Sequence, residues 1–473
     1  MRTDIIFFQQ YAVPYFGVLS LAAHLNCKGY KTDVFIESID KIDALKGLNP
    51  RLIGISVMSP EHNWLVGVIK TIKKEMPSAT IIVGGIHAML YPNDILSETE
   101  ADLVCNSEGE EVLSKVLAEL DKPVRDWSNI TGIVYRDKDN NIRSNEMADV
   151  VPYDDVVIED KGFYYNRYPD LAKDTVHRFI SSRGCPYKCS FCYNAVIKDA
   201  LRGKGIYVRQ KSVENFVNEI LLECKRHEVE SIFFYDDLFT FNKKWLRKFL
   251  ERYKKDIKIP FMCTTRANLM DDEIAGLLAE AGCRTISFGI ETGNYQIRKN
   301  VLNKGVSDDE IIRCGSILNK HGIKVQTANM FCLPDETLKD ALKTIELNIL
   351  AKTNYAFTAL FMPFPNTEIT NYCIGKGYVK FGYSLKDVPY SFLNHSVLDL
   401  PDKEAIMNVH RLAFFFIKYP RFFKLAKHAV RYRFLTPLFK RVFLLSNLLR
   451  HKEERGISLW SAIRYAWRLR GSF

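Results

Sequence analysis

Long apolar runs are missing from this 473-residue chain. The nearest candidate, Leu412–Ile417, falls far short of the roughly 18 residues a membrane span needs. A signal-peptide core is missing as well, because Asp4, Gln9 and Gln10 interrupt the N-terminal apolar stretch, so the sequence reads as cytoplasmic. In that compartment thiols stay reduced, and the 11 cysteines read as free thiols or metal ligands rather than a disulfide frame. No repeat or low-complexity stretch stands out. A hydrophobic share of 47% with 26% charged residues excludes a largely disordered chain.

Charge of one sign is concentrated at one end. The formal net charge is +10, yet residues 401–473 carry 16 Lys+Arg against 4 Asp+Glu, and the preceding 400 residues are nearly neutral at 50 against 52. An anionic partner, if there is one, concerns the tail and not the body.

The body alternates short apolar runs with helix-length segments, the pattern of right-handed crossovers and a mostly parallel sheet. Runs at Asp4–Phe8, Thr32–Ile36, Leu52–Val57, Thr80–Gly85 and Leu103–Asn106 predict a flavodoxin-like (Rossmann-like) domain over residues 1–125. Residues 126–173 hold a polar-tipped β-hairpin starting near Thr131 and an acidic, Tyr-rich linker. Six further strands, at His177–Ser181, Ser231–Tyr235, Phe261–Thr265, Thr285–Ile290, Val325–Phe331 and Ala356–Met362, are too few for a closed eight-fold barrel. They suit a partial (β/α)6 TIM-type barrel over residues 174–380, followed by a basic helical region over 381–473. The expected class is α/β.

The first barrel strand ends in Ser181-Ser-Arg-Gly-Cys185-Pro-Tyr-Lys-Cys189-Ser-Phe-Cys192. Three cysteines within eight residues, on a loop loosened by Gly184, can wrap an iron–sulfur cluster, and three thiolates leave one iron of a four-iron cluster open. A structural zinc site and incidental core cysteines are the alternatives. Zinc knuckles use paired Cys units, and there is no second pair here.

The spacing C-x3-C-x-aromatic-C, with Phe191 before the third cysteine, resembles the radical S-adenosylmethionine (SAM) superfamily. Phe233-Phe-Tyr-Asp236-Asp237, Cys263-Thr-Thr-Arg266, Ser287-Phe-Gly289-Ile-Glu291-Thr-Gly293, Leu333-Pro334-Asp-Glu336-Thr337 and Met362-Pro-Phe-Pro365 agree with it in order. The resemblance implies a [4Fe–4S] cluster on Cys185, Cys189 and Cys192. It also implies SAM contacts from Phe191, Asp236, Asp237, Arg266 and Glu291, with the carboxylates on the ammonium or ribose and Arg266 on the carboxylate. A strand-end carboxylate that only caps the next helix is the alternative. Cys332 and Asp335 depart from the family, standing where relatives often have glycine.

In the first domain, small residues cluster at consecutive strand ends: Gly54, Ser56 and Ser59, then Gly84 and Gly85 ahead of His87, then Gly109 after Glu108. They permit close approach of a bulky ligand, though a plain α/β domain would look the same. Ahead of a radical SAM block, they resemble the cobalamin-binding domain of one class of these enzymes. That likeness implies cobalamin contacts from all eight residues. The Asp-x-His-x-x-Gly motif that ligates cobalt elsewhere is absent, so His87 is expected to meet the cofactor's amides or the backbone and not the metal. A methylthiotransferase would bring three more cluster cysteines, whereas residues 1–184 offer only Cys27 and Cys105.

In the tail, Arg421–Arg431 is expected to form one amphipathic helix, with Phe422, Phe423, Leu425, Ala426, Ala429 and Val430 on one face and the cations opposite. Trp460, Ile463 and Trp467 repeat the apolar spacing. A packed helical cap with a solvated basic face is one reading. The other is an interfacial helix giving peripheral contact with the inner face of the membrane; nucleic acid is disfavoured.

Together these readings predict a cobalamin-dependent radical SAM enzyme, most simply a methyltransferase acting on an unactivated carbon of a small-molecule or lipid-like substrate. In that class an adenosyl radical removes a substrate hydrogen and methylcobalamin supplies the methyl group. Ring formation, rearrangement or oxidation is the alternative chemistry, and a cobalamin or iron–sulfur sensor the alternative class. A one-electron reductant such as ferredoxin or flavodoxin is the expected partner.

Overall fold

The structure, a computed structural model, describes residues 3–155, 158–389 and 391–455. It divides into two compact units. The first takes the chain up to Pro186 together with Tyr193–Glu230; the second takes Tyr187–Cys192 and the chain from Ser231 on.

The first unit is built on five parallel strands, β1 (Ile5–Gln9), β2 (Thr32–Ile36), β3 (Leu52–Ser56), β4 (Thr80–Gly84) and β5 (Leu103–Cys105). Successive residues of β1 point to opposite faces, so Ile5 and Phe7 join one apolar core while Ile6 and Phe8 join another. Helices Phe16–Cys27 and Gly109–Glu119 cover the first face, and His62–Glu75 covers the second. The spatial order β2-β1-β3-β4-β5 is the flavodoxin-like one expected. Its direction reverses between β1 and β3, and the crevice beyond their C-terminal ends is where such sheets receive ligands.

The predicted hairpin forms β6 (Ile133–Arg136) and β7 (Ile142–Ser144). It pairs antiparallel with β5 and extends the same sheet. β8 (Val176–Phe179), the strand before the cysteine loop, falls in the first unit, as does the short antiparallel pair β9 (Ser182–Arg183) and β10 (Arg209–Gln210).

Five of the six predicted barrel strands lie in the second unit: β11 (Ser231–Phe234), β12 (Phe261–Thr264), β13 (Cys283–Glu291), β14 (Lys324–Phe331) and β15 (Tyr355–Leu360). All are parallel and neighbours in sequence order, with a helix after each of the first four. In β14 burial alternates strictly. Val325, Thr327, Asn329 and Phe331 are buried, and Gln326, Ala328 and Met330 line the opposite, half-open face.

After the barrel, helix Lys403–Lys418 is buried along most of its length, with the His410 ring 5.9 Å from that of Phe331. The single amphipathic helix expected over 421–431 is not formed. Pro420 opens a short helix, Pro420–Ala426. Two 3-10 turns, Ala429–Arg431 and Arg433–Leu435, then lead into helix Thr436–Arg455. The expected apolar face is therefore split: Phe423 and Val430 point inward, whereas Phe422 and Leu425 face outward. Trp460, Ile463 and Trp467 lie outside the described residues.

Candidate functional site

The cysteine loop starts as a turn that only glycine accommodates. Gly184 has φ +83°, and a side chain there would meet the Tyr207 carbonyl at 2.7 Å. Cys185, Cys189 and Cys192 form no disulfide, each is partly exposed, and the Cys192 amide donates to the Cys189 carbonyl at 3.1 Å. Within the second unit the middle of this loop is tied down. The Ser190 amide donates to the Leu302 carbonyl at 3.1 Å, Asn303 Nδ2 donates to the Lys188 carbonyl at 2.7 Å, and Phe191 packs on the apolar core. Such a loop fits a four-iron cluster, which needs accessible thiolates on a fixed backbone. No group of three or more His, Cys, Asp or Glu side chains among the described residues is set for a single ion; a cluster spreads its thiolates over different irons and needs none.

Arg266, at the end of β12, reaches this loop. Its Nη1 is 3.8 Å from Cys189 Sγ, its guanidinium lies 3.9 Å from the Tyr187 ring centroid, and its Nε donates to Asn268 Oδ1 at 3.0 Å. After β11, Asp236 is buried and Asp237 exposed. Glu291 ends β13 with φ +66°, a costly conformation outside glycine. Its Oε1 is 2.6 Å from Lys304 Nζ, and both side chains are about nine-tenths buried. Gly289 is required there, since a Cβ would sit 1.9 Å from Glu291 Oε1. Lys304 is a residue the sequence reading missed; thirteen positions from Glu291, it gives no local signal.

In the first unit, Gly85 has φ +90° and leaves only 2.8 Å between a hypothetical Cβ and the Val57 carbonyl, while beside Gly84 the space is open. Gly54 and Gly109 are small for packing: a Cβ would press Ile5 and Leu21, respectively. Ser56 is half-buried. His87 is fully buried, and its ring nitrogens meet Ser59 Oγ at 3.1 Å and His62 Nδ1 at 3.0 Å. His62 Nε2 in turn meets Glu98 Oε2 at 3.3 Å. One assignment satisfies the whole chain, with Ser59 donating to His87, His87 to His62 and His62 to Glu98. Burial, reinforced by His62, pushes the His87 pKa down to about 3, so the imidazole is neutral. Glu108 accepts from Arg209 Nη1 at 2.9 Å and from the Val151 amide at 3.1 Å.

Where β1 and β3 end, Gln10 Oε1 is buried with no hydrogen-bond partner among the described residues, and the buried Tyr15 hydroxyl and Glu61 carboxyl oxygen Oε1 have none beyond each other. Burial raises the Glu61 pKa, although its other oxygen accepts from the Met58 amide at 2.7 Å. Buried polar atoms so sparsely paired beyond the C-terminal ends of the switch-point strands fit an amide-rich ligand such as cobalamin. Sequence reading missed all three, because none lies in a glycine-rich segment.

The Radical SAM superfamily profile matches residues 179–347, and the B12 binding domain profile matches residues 9–117. The chain is a cobalamin-dependent radical SAM enzyme. The radical SAM enzyme is 26% identical over 353 residues to an uncharacterized methyltransferase of Pyrococcus horikoshii, covering 73% of this chain and 74% of that one. It is 23% identical over 370 residues to the anaerobic magnesium-protoporphyrin IX monomethyl ester cyclase of Rubrivivax gelatinosus, covering 74% and 65%. Its fold is similar to that of the cobalamin-dependent SAM radical enzyme OxsB with aqua-cobalamin and SAM bound, at a TM-score of 0.69 and 16% identity over 95% of this chain and 73% of that one. The cofactors of this enzyme are thus a [4Fe–4S] cluster, SAM and cobalamin.

Proposed function

We propose that this radical SAM enzyme is a methyltransferase acting on an unactivated carbon of a small-molecule or lipid-like substrate. The observation that carries the reading is the pairing of a B12-binding domain with a radical SAM domain in one chain that is similar over 353 residues to a relative named as a methyltransferase. When bound, the cluster and SAM supply a carbon-centred radical, and cobalamin supplies a transferable methyl group.

In this reading Cys185, Cys189 and Cys192 hold the cluster, and Ser190 and Phe191 keep their loop fixed. Asp236, Asp237 and Glu291 address the ammonium or ribose of SAM. Lys304 keeps Glu291 aimed. Arg266 balances negative charge at the cluster loop, from the Cys189 thiolate or the SAM carboxylate. In the first unit Gly84 and Ser56 allow the backbone to approach cobalamin, Gly54, Gly85 and Gly109 let the strands and loops beneath it pack, and Ser59, His87 and Glu108 hold those loops in shape. Gln10, Tyr15 and Glu61 offer further buried polar oxygens. The reading includes a cytoplasmic enzyme supplied with electrons by ferredoxin or flavodoxin.

A ring-forming reaction is the second reading, favoured by the likeness to the cyclase. Feeding SAM with a deuterated methyl group to the reconstituted enzyme, together with an extract of cell lipids and metabolites, separates the two. Methyl transfer puts the label into an extract component; its absence from every component, with 5′-deoxyadenosine still formed, favours ring formation.

A further inference from the structure

The outward side of residues 419–445 has the makeup of a surface that dips into lipid. Leu425 is 84% exposed, Phe434 78%, Leu444 67%, Tyr432 56% and Leu438 53%, an unusual density of large apolar side chains in solvent. They do not arise from a loosely packed end. In the same segment Phe423, Val430, Phe439 and Phe443 are buried, so both helices are seated by one set of apolar residues and display a second. Tyr432 and Phe434 touch each other, with ring centroids 5.8 Å apart, although neither is covered.

The charge around them is of one sign. Arg421, Lys424, Arg431, Arg433, Lys440 and Arg441 are exposed among these residues, and no Asp or Glu occurs between Glu404 and Glu453. No helix among the described residues is long and apolar enough to cross a membrane. Exposed leucines and aromatics interspersed with exposed cations along one segment match the two parts of an anionic bilayer surface: acyl chains for the apolar tips and phosphates for the cations. Nucleic acid would use the cations but has no place for bare leucines.

We infer that this ridge is a monotopic docking surface for an anionic lipid bilayer, with Leu425 and Phe434 as the inserting tips. It is not one amphipathic helix lying flat; a short helix, two 3-10 turns and a longer helix present it together. The inference does not depend on the reaction proposed above, and its test reads binding rather than turnover.

The purified full chain is sedimented with vesicles of phosphatidylcholine, with and without phosphatidylglycerol, at low and high salt. Partition into the phosphatidylglycerol vesicles should exceed that into phosphatidylcholine alone by roughly tenfold or more, and should weaken with salt. L425E/F434E should lose most of it, again about tenfold, with unchanged thermal unfolding because both sites are exposed. Arg431→Gln/Arg433→Gln should lower binding and its salt dependence together. Equal binding by wild type and L425E/F434E overturns the assignment, as does no binding by either. A wild type that self-associates in solution, is dispersed by L425E/F434E and ignores vesicles also overturns it, giving the ridge to a second copy of the chain.

Discussion

The Arg266 guanidinium stands 3.8 Å from the Cys189 thiol, stacked on Tyr187 and held by Asn268. A cation so close to a cluster ligand favours the form carrying the extra electron. Arg266→Gln should therefore shift the SAM-free cluster to a lower midpoint potential, with Arg266→Lys retaining part of the wild-type value. Titration followed by electron paramagnetic resonance reads both. If the potential is unchanged and only SAM affinity falls, Arg266 serves the SAM carboxylate instead.

Lys304 and Glu291 form an ion pair that neither can leave cheaply. Lys304→Met should cost about 3–5 kcal/mol, because a nearly buried carboxylate loses its partner. Pairing it with Glu291→Gln should recover most of that loss in denaturant unfolding. A double variant as unstable as the single one would show that the cost lies in packing.

The strands and the cysteine loop were legible in the sequence because both are local. Apolar runs of four to eight residues mark the strands, and three thiols within eight residues mark the loop. What supports them was not. Glu291 finds its partner thirteen positions away, Glu108 finds Arg209 a hundred positions on, and His87 is fixed by His62 and Glu98 through the fold alone. The tail misled for a related reason. A helical wheel over Arg421–Arg431 assumes one continuous helix, and the chain turns after Ala426.

Two buried histidines set an acid limit on stability. Burial is the main cause for both, holding the His87 pKa down to about 3 and that of His410 to about 4, against 6.5 when unfolded. The unfolded chain then binds protons more readily. The stability from these neutral rings is complete above pH 6.5 and is lost as pH falls toward 4 and 3, at about 1.4 kcal/mol per pH unit for each. Because buried carboxyls titrate with the opposite sign over the same range, the test compares variants: between pH 7.5 and pH 5, wild type should fare worse in denaturant unfolding than His410→Gln, which keeps every other titrating group. An identical change in both would contradict it.

Glu336 has the opposite sign. Burial raises its pKa to about 8 from 4.5, so the folded state holds a proton that the unfolded chain releases. Its contribution declines as pH rises from 4.5 through 8. Glu336→Gln, which can still accept from the Leu333 amide, should be more stable than wild type at pH 8, with the gap closing near pH 5. A variant less stable at both values would assign the site another role.

The account rests on the cysteine loop and the two cofactor domains working as one methylating enzyme. Its most direct test is an anaerobic assay of the reconstituted enzyme with SAM, cobalamin and a one-electron reductant, quantifying the products of SAM in wild type and Cys189→Ala. The account predicts both 5′-deoxyadenosine and S-adenosylhomocysteine from wild type and no 5′-deoxyadenosine from Cys189→Ala. Undiminished 5′-deoxyadenosine from the variant, or wild type forming neither product, would contradict it.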